Sequence, residues 1–135
     1  MSEELLITNV GKLRNLLHRV LKLQFATEAD VKLTIEEFIL LNMIEMHTDQ
    51  ILQNIAIATG KNKSVVMRMI DSLEQKGLAR RTVNPDDRRE NLLSITERGA
   101  EVLSQYKEIE KRVSAELLSG IPADKIACFF EVADA

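Results

Sequence analysis

Apolar residues recur at helical spacing near the start of the chain and define its first predicted helix. Over residues 5–25 the main stripe consists of Leu6, Val10, Leu13, Leu17, Val20 and Leu21, and Leu5, Leu16 and Leu23 widen it. A surface helix normally carries a narrower apolar stripe that faces one core. We therefore expect this helix to contact more than one partner surface.

Two shorter helices and their start signals follow. Thr34-Ile35-Glu36-Glu37 has the pattern of a capping box, and it predicts a helix to about residue 46 that buries Phe38, Leu41 and Ile44 or their neighbours. Residues 49–59 are expected to form a short helix that ends at Gly60, a residue suited to a left-handed conformation. Asn62 is the expected N-cap of the next helix, over about residues 63–76, which Gly77 closes. Two short helices joined by a tight turn are typical of a helix-turn-helix.

A hairpin and two more helices complete the pattern. Residues 78–83 and 90–95 are strand-like, and the turn residues Asn84-Pro85-Asp86-Asp87 lie between them. Thr96 is the expected cap of a long helix, which Gly120 and Pro122 end, and a last helix covers about residues 123–133. The fold class predicted is mainly α with a small antiparallel β-hairpin.

The helix after Asn62 has one apolar and one polar face. Val66, Met69, Ile70 and Leu73 share a face that we expect in the core, whereas the opposite face carries Ser64, Arg68, Asp71 and Gln75. The N-terminal residues of a recognition helix contact base edges, and arginine can bind guanine with two hydrogen bonds. The candidates for DNA contact here are Asn62, Lys63, Ser64, Val65, Met67 and Arg68, of which Val65 and Met67 can only touch thymine methyl groups. An ordinary amphipathic surface helix is the alternative.

Charge is distributed unevenly along the chain. The net charge is −3, but residues 61–89 hold eight basic and four acidic residues and carry +4, which leaves 10 basic and 17 acidic residues and −7 elsewhere. A basic middle between acidic ends favours a face that binds phosphate. A solvated charged hairpin would have the same composition.

The hairpin tip, Asp86-Asp87-Arg88-Arg89, places two acids where a phosphate-binding surface would have none. We expect Asp87 to pair with Arg89 or another nearby arginine and to orient it, so that the guanidinium can enter a narrow minor groove. Four solvated loop charges are the alternative.

Other chemistry is sparse in the sequence. His18 and His47 lie far apart, and no Cys, His and carboxylate residues have metal-ligand spacing. No phosphate-binding glycine loop or nucleophile elbow is present, so we expect neither an enzyme nor a cofactor or metal. Cys128 is expected in the core of the last helix. The acidic first residues and the short apolar runs predict no signal peptide and no membrane span, which favours the cytoplasm.

Taken together, residues 33–99 resemble the MarR family of multiple-antibiotic-resistance regulators. The matching positions are Leu33-Thr34 with Phe38 and Leu41; Ile55-Ala56 with Gly60; Lys63-Ser64 with Val66, Arg68, Leu73, Gly77 and Leu78; and Asp86-Asp87-Arg88-Arg89 with Leu93, Ile95, Thr96, Glu97 and Gly99. The resemblance implies a single domain over residues 1–135. Residues 33–96 would form a winged helix-turn-helix lobe that binds DNA, and residues 5–28 and 97–135 would form the dimerisation helices.

The same resemblance implies roles for individual residues. Ser64 and Arg68 would lie in the major groove, and Arg89, oriented by Asp87, would lie in the minor groove. Many relatives are repressors that a small lipophilic effector releases from DNA. Lys61, Val65 and Met67 depart from the usual residue types, which affects the operator sequence expected, and no cysteine near the N-terminus matches that of the oxidation-sensing relatives.

Dimerisation also has a physical reason. The apolar stripes of the first helix and of Leu103 to Phe130 in the last two helices lie outside the central lobe, and leaving them in water costs about 25 cal/mol per Å². A second subunit can cover them, and its two-fold symmetry predicts a pseudo-palindromic duplex site. The competing hypothesis is a winged helix that binds another protein and no DNA.

Overall fold

Five helices and three short strands make up the described part of the chain. The computed structural model describes residues 5–46, 50–51, 60–87 and 91–135. In chain order the elements are α1 (Leu6–Glu28), α2 (Ile35–Met46), β1 (Gln50–Ile51), α3 (Lys63–Gln75), β2 (Ala79–Val83), β3 (Asn91–Ile95), α4 (Glu97–Leu117) and α5 (Ala123–Asp134). The mainly α architecture with an antiparallel hairpin confirms the fold class predicted from the sequence.

The helix starts follow from local capping. Thr34 N donates to Glu37 Oε1 and Glu37 N donates to Thr34 Oγ1, each at 3.0 Å, which confirms the capping box. Asn62 Oδ1 accepts from Val65 N at 2.9 Å, and Thr96 Oγ1 accepts from Gly99 N at 3.0 Å. Each cap satisfies a backbone N–H that the first helical turn leaves without a partner. These caps define where α2, α3 and α4 begin.

The strands form one antiparallel sheet in the order β1-β3-β2. The hairpin register runs from Ala79 opposite Ile95 to Val83 opposite Asn91. On the other side of β3, Gln50 pairs with Leu93 and Ile51 with Leu92. The predicted helix over residues 49–59 is therefore wrong at residues 50–51. The extended backbone of these two residues pairs with the edge of β3 that β2 leaves open. Residue 49 and residues 52–59, the rest of that predicted helix, lie outside the described part.

The core joins α1, α2, α3 and α4. Its fully buried side chains are Phe25, Leu40, Leu41, Ile44, Val66, Ile70, Leu73, Leu78, Leu93, Leu103 and Tyr106. The rings of Phe25 and Tyr106 lie 4.6 Å apart, and Phe38 packs against both from a partly buried position. The predicted apolar face of α3 is confirmed at Val66, Ile70 and Leu73, with Met69 partly buried at its margin. This packing turns the polar face of α3 outward.

Tyr106 connects α4 to the segment between α1 and α2. Its hydroxyl donates to Val31 O at 2.5 Å and accepts from Leu33 N at 2.8 Å. Burial, together with the charge of Glu37, raises the pKa of Tyr106 above its ordinary value in spite of the hydrogen bond from Leu33. The hydroxyl thus stays protonated and anchors a backbone turn that secondary structure does not fix.

Large apolar side chains at both ends of the chain face outward. On α1, Leu6, Ile7 and Leu23 are exposed, and α5 buries none of its residues within the chain. Cys128 is exposed, so the prediction that it lies in the core of this chain is wrong. The apolar face of α5 lacks a covering surface in a single subunit. Among the described residues, no helix is long and apolar enough to span a bilayer.

Candidate nucleic-acid interface

The N-terminal half of α3 forms the outer surface on which the candidate DNA contacts lie. Lys63, Ser64 and Arg68 are exposed, as are Asn62 and Met67. Val65 is half-buried at the flank, so only part of its side chain is accessible. Five of the six candidates are thus exposed on α3 and its cap, and Val65 lies at the edge of the buried face.

A hydrogen bond constrains how Ser64 can act. Ser64 Oγ donates to Asn62 Oδ1 at 2.7 Å, and the same oxygen caps α3 through Val65 N. The hydroxyl has a single hydrogen, which this contact uses, and two lone pairs that still accept. In this arrangement Ser64 can accept from a base amino group, such as cytosine N4 or adenine N6, and cannot donate to a phosphate.

Ion pairs remove part of the positive charge that the sequence places in this region. Arg81 Nη2 lies 2.5 Å from Asp71 Oδ1 and 2.8 Å from Glu74 Oε1, which attaches β2 to α3. Lys76 is paired with Glu37. Within residues 60–87, the cations that form no ion pair with described residues are Lys61, Lys63, Arg68 and Arg80. The positive surface is therefore concentrated at the N-terminus of α3 and on β2.

The wing tip is described as far as residue 87. Asp86 N donates to Asn84 Oδ1 at 3.0 Å, the hydrogen bond of an Asx turn, and Asp87 is half-buried. Arg88 and Arg89 lie outside the described residues. The pairing of Asp87 with Arg89 and the minor-groove role of Arg89 stay predictions.

Glu37 is a functional candidate that sequence reasoning identified only as a capping residue. It is 6% exposed, and its carboxylate accepts from Thr34 N, from Ser72 Oγ at 2.8 Å and from Lys76 Nζ at 3.1 Å. Burial alone would raise the pKa of Glu37, but these hydrogen bonds and the charge of Lys76 outweigh it, so the pKa is lowered. No local sequence pattern predicts this contact, because Ser72 and Lys76 lie 35 and 39 positions after Glu37 in the chain.

A cavity of about 610 Å³ opens between α1, the start of α2 and the end of α3. Its lining residues are His18, Lys22, Phe25, Ala26, Lys32, Leu33, Thr34, Ile35, Glu36, Glu37 and Lys76. The volume lies in the range of small-molecule sites, and the wall combines four apolar residues with seven polar or charged ones. Glu37 and Lys76 belong both to this wall and to the attachment of α3.

Comparison with known proteins agrees with this geometry. The sequence model described as MarR family matches residues 33–91. The structure of wild-type MarR from E. coli in its apo form superimposes with a TM-score of 0.83 at 21% identity, covering 98% of this chain and 97% of that one. The transcriptional repressor CouR, bound to a 23-mer DNA duplex, gives 0.80 at 24% identity, covering 98% and 94%. PcaV from Streptomyces coelicolor, in complex with its natural ligand, gives 0.76 at 25% identity, covering 100% and 99%.

The fold is the winged helix of these solved structures, and the polar face of α3 points outward from it. The matched segment contains α3, β2 and the start of β3, and the likeness in fold extends over nearly the whole chain. The MarR family model therefore matches the segment that carries the candidate DNA contacts of α3.

Proposed function

We propose that this protein is a homodimeric transcription regulator, a repressor, that binds a pseudo-palindromic site in double-stranded DNA. The observation that carries the proposal is the exposed N-terminal half of α3, where Lys63 and Arg68 form no ion pair with described residues. A recognition helix uses this half to contact bases. The similar protein CouR is a transcriptional repressor bound to a DNA duplex, which supports the same role here.

The residues proposed to bind DNA divide between two grooves. In the major groove, Arg68 would bind guanine, Ser64 would accept from a base amino group, and Val65 and Met67 would touch thymine methyls. Asn62 and Lys63 lie beside the phosphate backbone in this arrangement. In the minor groove, Arg89, next to Arg88 and oriented by Asp87, would supply the guanidinium. The proposed DNA-binding lobe covers residues 33–96.

Exposed apolar surface supports the dimer. Leu6, Ile7 and Leu23 are 62–84% exposed, Phe129 and Phe130 are each 54% exposed, and α5 buries no residue within the chain. Surface of this kind at both chain ends is suited to interlocking with a second copy. Residues 5–28 and 97–135 are accordingly the proposed dimerisation helices of a single domain.

The cavity supports regulation by a small lipophilic effector. Phe25, Leu33 and Ile35 provide apolar wall, and the cavity lies between a proposed dimerisation helix and the end of the recognition helix. The similar protein PcaV binds a natural ligand. An occupant here could change how the two parts of the subunit are arranged. A protein with this function acts in the cytoplasm, where the DNA lies, and needs no enzymatic activity.

Selection of bound sequences from a random duplex library tests the proposal. We expect enrichment of a two-fold symmetric site whose half-sites lie about one helical turn apart. Arg89→Ala should weaken binding to the selected duplex without unfolding the protein. Recovery of no enriched sequence, with no duplex bound even at low salt, would favour the winged helix that binds a protein partner.

A further inference from the structure

The C-terminal half of α3 is attached to the rest of the chain by a partly buried polar network around the buried carboxylate of Glu37. The Glu37 carboxylate accepts from Thr34 N at the start of α2, and from Ser72 and Lys76 at the end of α3. Lys76 Nζ also donates to Lys32 O at 2.8 Å. One carboxylate thus joins α2, the segment that precedes it and the recognition helix.

The charges in this network are sited away from the proposed DNA contacts. Ser72 lies eight positions after Ser64, which is roughly 12 Å along a helix at 1.5 Å per residue. Glu37 is buried and cannot touch a duplex. Glu37 can therefore affect DNA binding through the placement of α3 or through its charge, and these two routes predict changes of opposite sign.

We propose that Glu37 is a positioning residue that sets the angle of α3 for DNA binding, with Ser72 and Lys76 as its contacts on the helix. The inference rests on the proposed function. A tilt of about 10° around the C-terminal half of α3 shifts Ser64 by roughly 2 Å at that distance. Hydrogen bonds to base edges tolerate only a few tenths of an ångström beyond about 3.2 Å, so such a tilt removes them.

Glu37→Gln separates this role from simple electrostatics. All the groups around the carboxylate are donors, and a glutamine side chain offers one acceptor oxygen and turns an NH₂ group toward another donor. The variant thus breaks part of the network. Removal of a negative charge would by itself strengthen binding to a polyanion. If Glu37 positions α3, the variant should instead bind the selected duplex more weakly than the wild type, by about tenfold.

Glu36→Gln is the matched control. Glu36 lies next to Glu37 on the same helical turn and also lines the cavity, and within the described residues it forms no hydrogen bond or ion pair with α3. The charge change is identical. We expect its affinity for the duplex to equal or slightly exceed that of the wild type.

Ser72→Ala is a milder variant that keeps the test decisive if Glu37→Gln does not fold. It removes one hydrogen bond and leaves the carboxylate in place, and alanine is the better helix former. We expect weaker DNA binding with unchanged helix content. Wild-type or tighter affinity in folded Glu37→Gln, or in folded Ser72→Ala, would overturn the proposal.

Amide hydrogen exchange of the protein without DNA provides a second readout. Residues 63–75 should exchange faster in Glu37→Gln and Ser72→Ala than in the wild type and Glu36→Gln, while α4 stays protected. Unchanged exchange in α3 would contradict the positioning role. If the wild type binds no duplex, the proposed function fails, and this measurement still decides whether the network holds α3.

Discussion

At the scale of single residues, Glu37 combines two tasks that are usually separate. Its carboxylate completes the capping box with Thr34 and also receives Ser72 and Lys76 from a distant helix. Breaking a buried charge network by removing one partner leaves unsatisfied donors, which costs more than the network contributes as a whole. Glu37 is thus the residue whose replacement we expect to affect both stability and the orientation of α3.

The stability contributed by Glu37 depends on pH in a defined direction. Burial acts to raise its pKa, but the hydrogen bonds and Lys76 lower it below the ordinary value, about 4.3 in an unfolded chain. A carboxyl with a lowered folded pKa stabilises the protein above its unfolded pKa, and this contribution is lost as the pH falls through the folded pKa. We expect wild type to exceed Glu37→Gln by about 1–3 kcal/mol in free energy of unfolding at pH 7. Urea denaturation should show that this difference in free energy of unfolding becomes smaller below about pH 4.3. A difference that is as large below that pH as at pH 7 would contradict this account.

The residues that were predictable from sequence are those with local partners. Asn62 and Thr96 cap helices through backbone groups three positions away, so the residue type and the following apolar pattern identify them. Arg81 and Lys76 counted as part of the basic patch, yet the structure pairs them with acids. Those pairings depend on packing between elements, which a composition count does not contain.

At the scale of elements, turn and cap signals in the sequence predict the hairpin and the start of α4 directly after it. No such signal predicts β1. Residues 50–51 form a two-residue strand that exists because β3 offers an unpaired edge. So short a segment has no periodicity of its own, and the neighbouring apolar spacing indicated a helix instead. The partner, and not the local sequence, determines its conformation.

The junction of the hairpin with α4 makes a specific demand at Gly99. A Cβ atom at this position would lie 2.0 Å from Leu78 O and 2.8 Å from Ile95 Cγ1. We expect Gly99→Ala to destabilise the protein by about 1–3 kcal/mol, because the backbone at Leu78 or in α4 must move. Gly11→Ala is the control, since apart from the nearby backbone of its own helix no atom of the described residues lies within 4 Å of the added Cβ, and alanine favours the helix. Thermal denaturation that shows no loss for Gly99→Ala would contradict the close contact.

At the scale of the whole molecule, the single chain leaves large apolar side chains uncovered at both of its ends. Wide apolar stripes in the sequence predicted partner surfaces for the first and last helices, and α5 indeed buries nothing within the chain. Cys128 was expected in the core because its helix is apolar, but periodicity does not distinguish the core of one chain from an interface between two. The sequence therefore predicted which faces must be covered without indicating by what.

Phe130→Asp tests the proposed coverage of α5. The side chain is 54% exposed in the single chain, and burying a phenylalanine contributes about 1.5–3 kcal/mol. Both subunits of a symmetric dimer carry the substitution. We therefore expect the variant dimer to dissociate at a much higher protein concentration than the wild type, while each subunit keeps its helix content. Sedimentation equilibrium measures the shift. An unchanged dimer dissociation constant would place the interface elsewhere.

The most direct test of the central claim, that the outer face of α3 binds DNA, is the affinity for the selected duplex measured across a salt series. Wild type, Arg68→Ala and Lys111→Ala should be compared, since Lys111 is an exposed cation on α4. We predict a wild-type log–log slope near −0.9 per neutralised phosphate. Arg68→Ala should bind roughly tenfold or more weakly and Lys111→Ala like the wild type. Binding that is insensitive to salt, or that Arg68→Ala leaves unchanged, would contradict the claim.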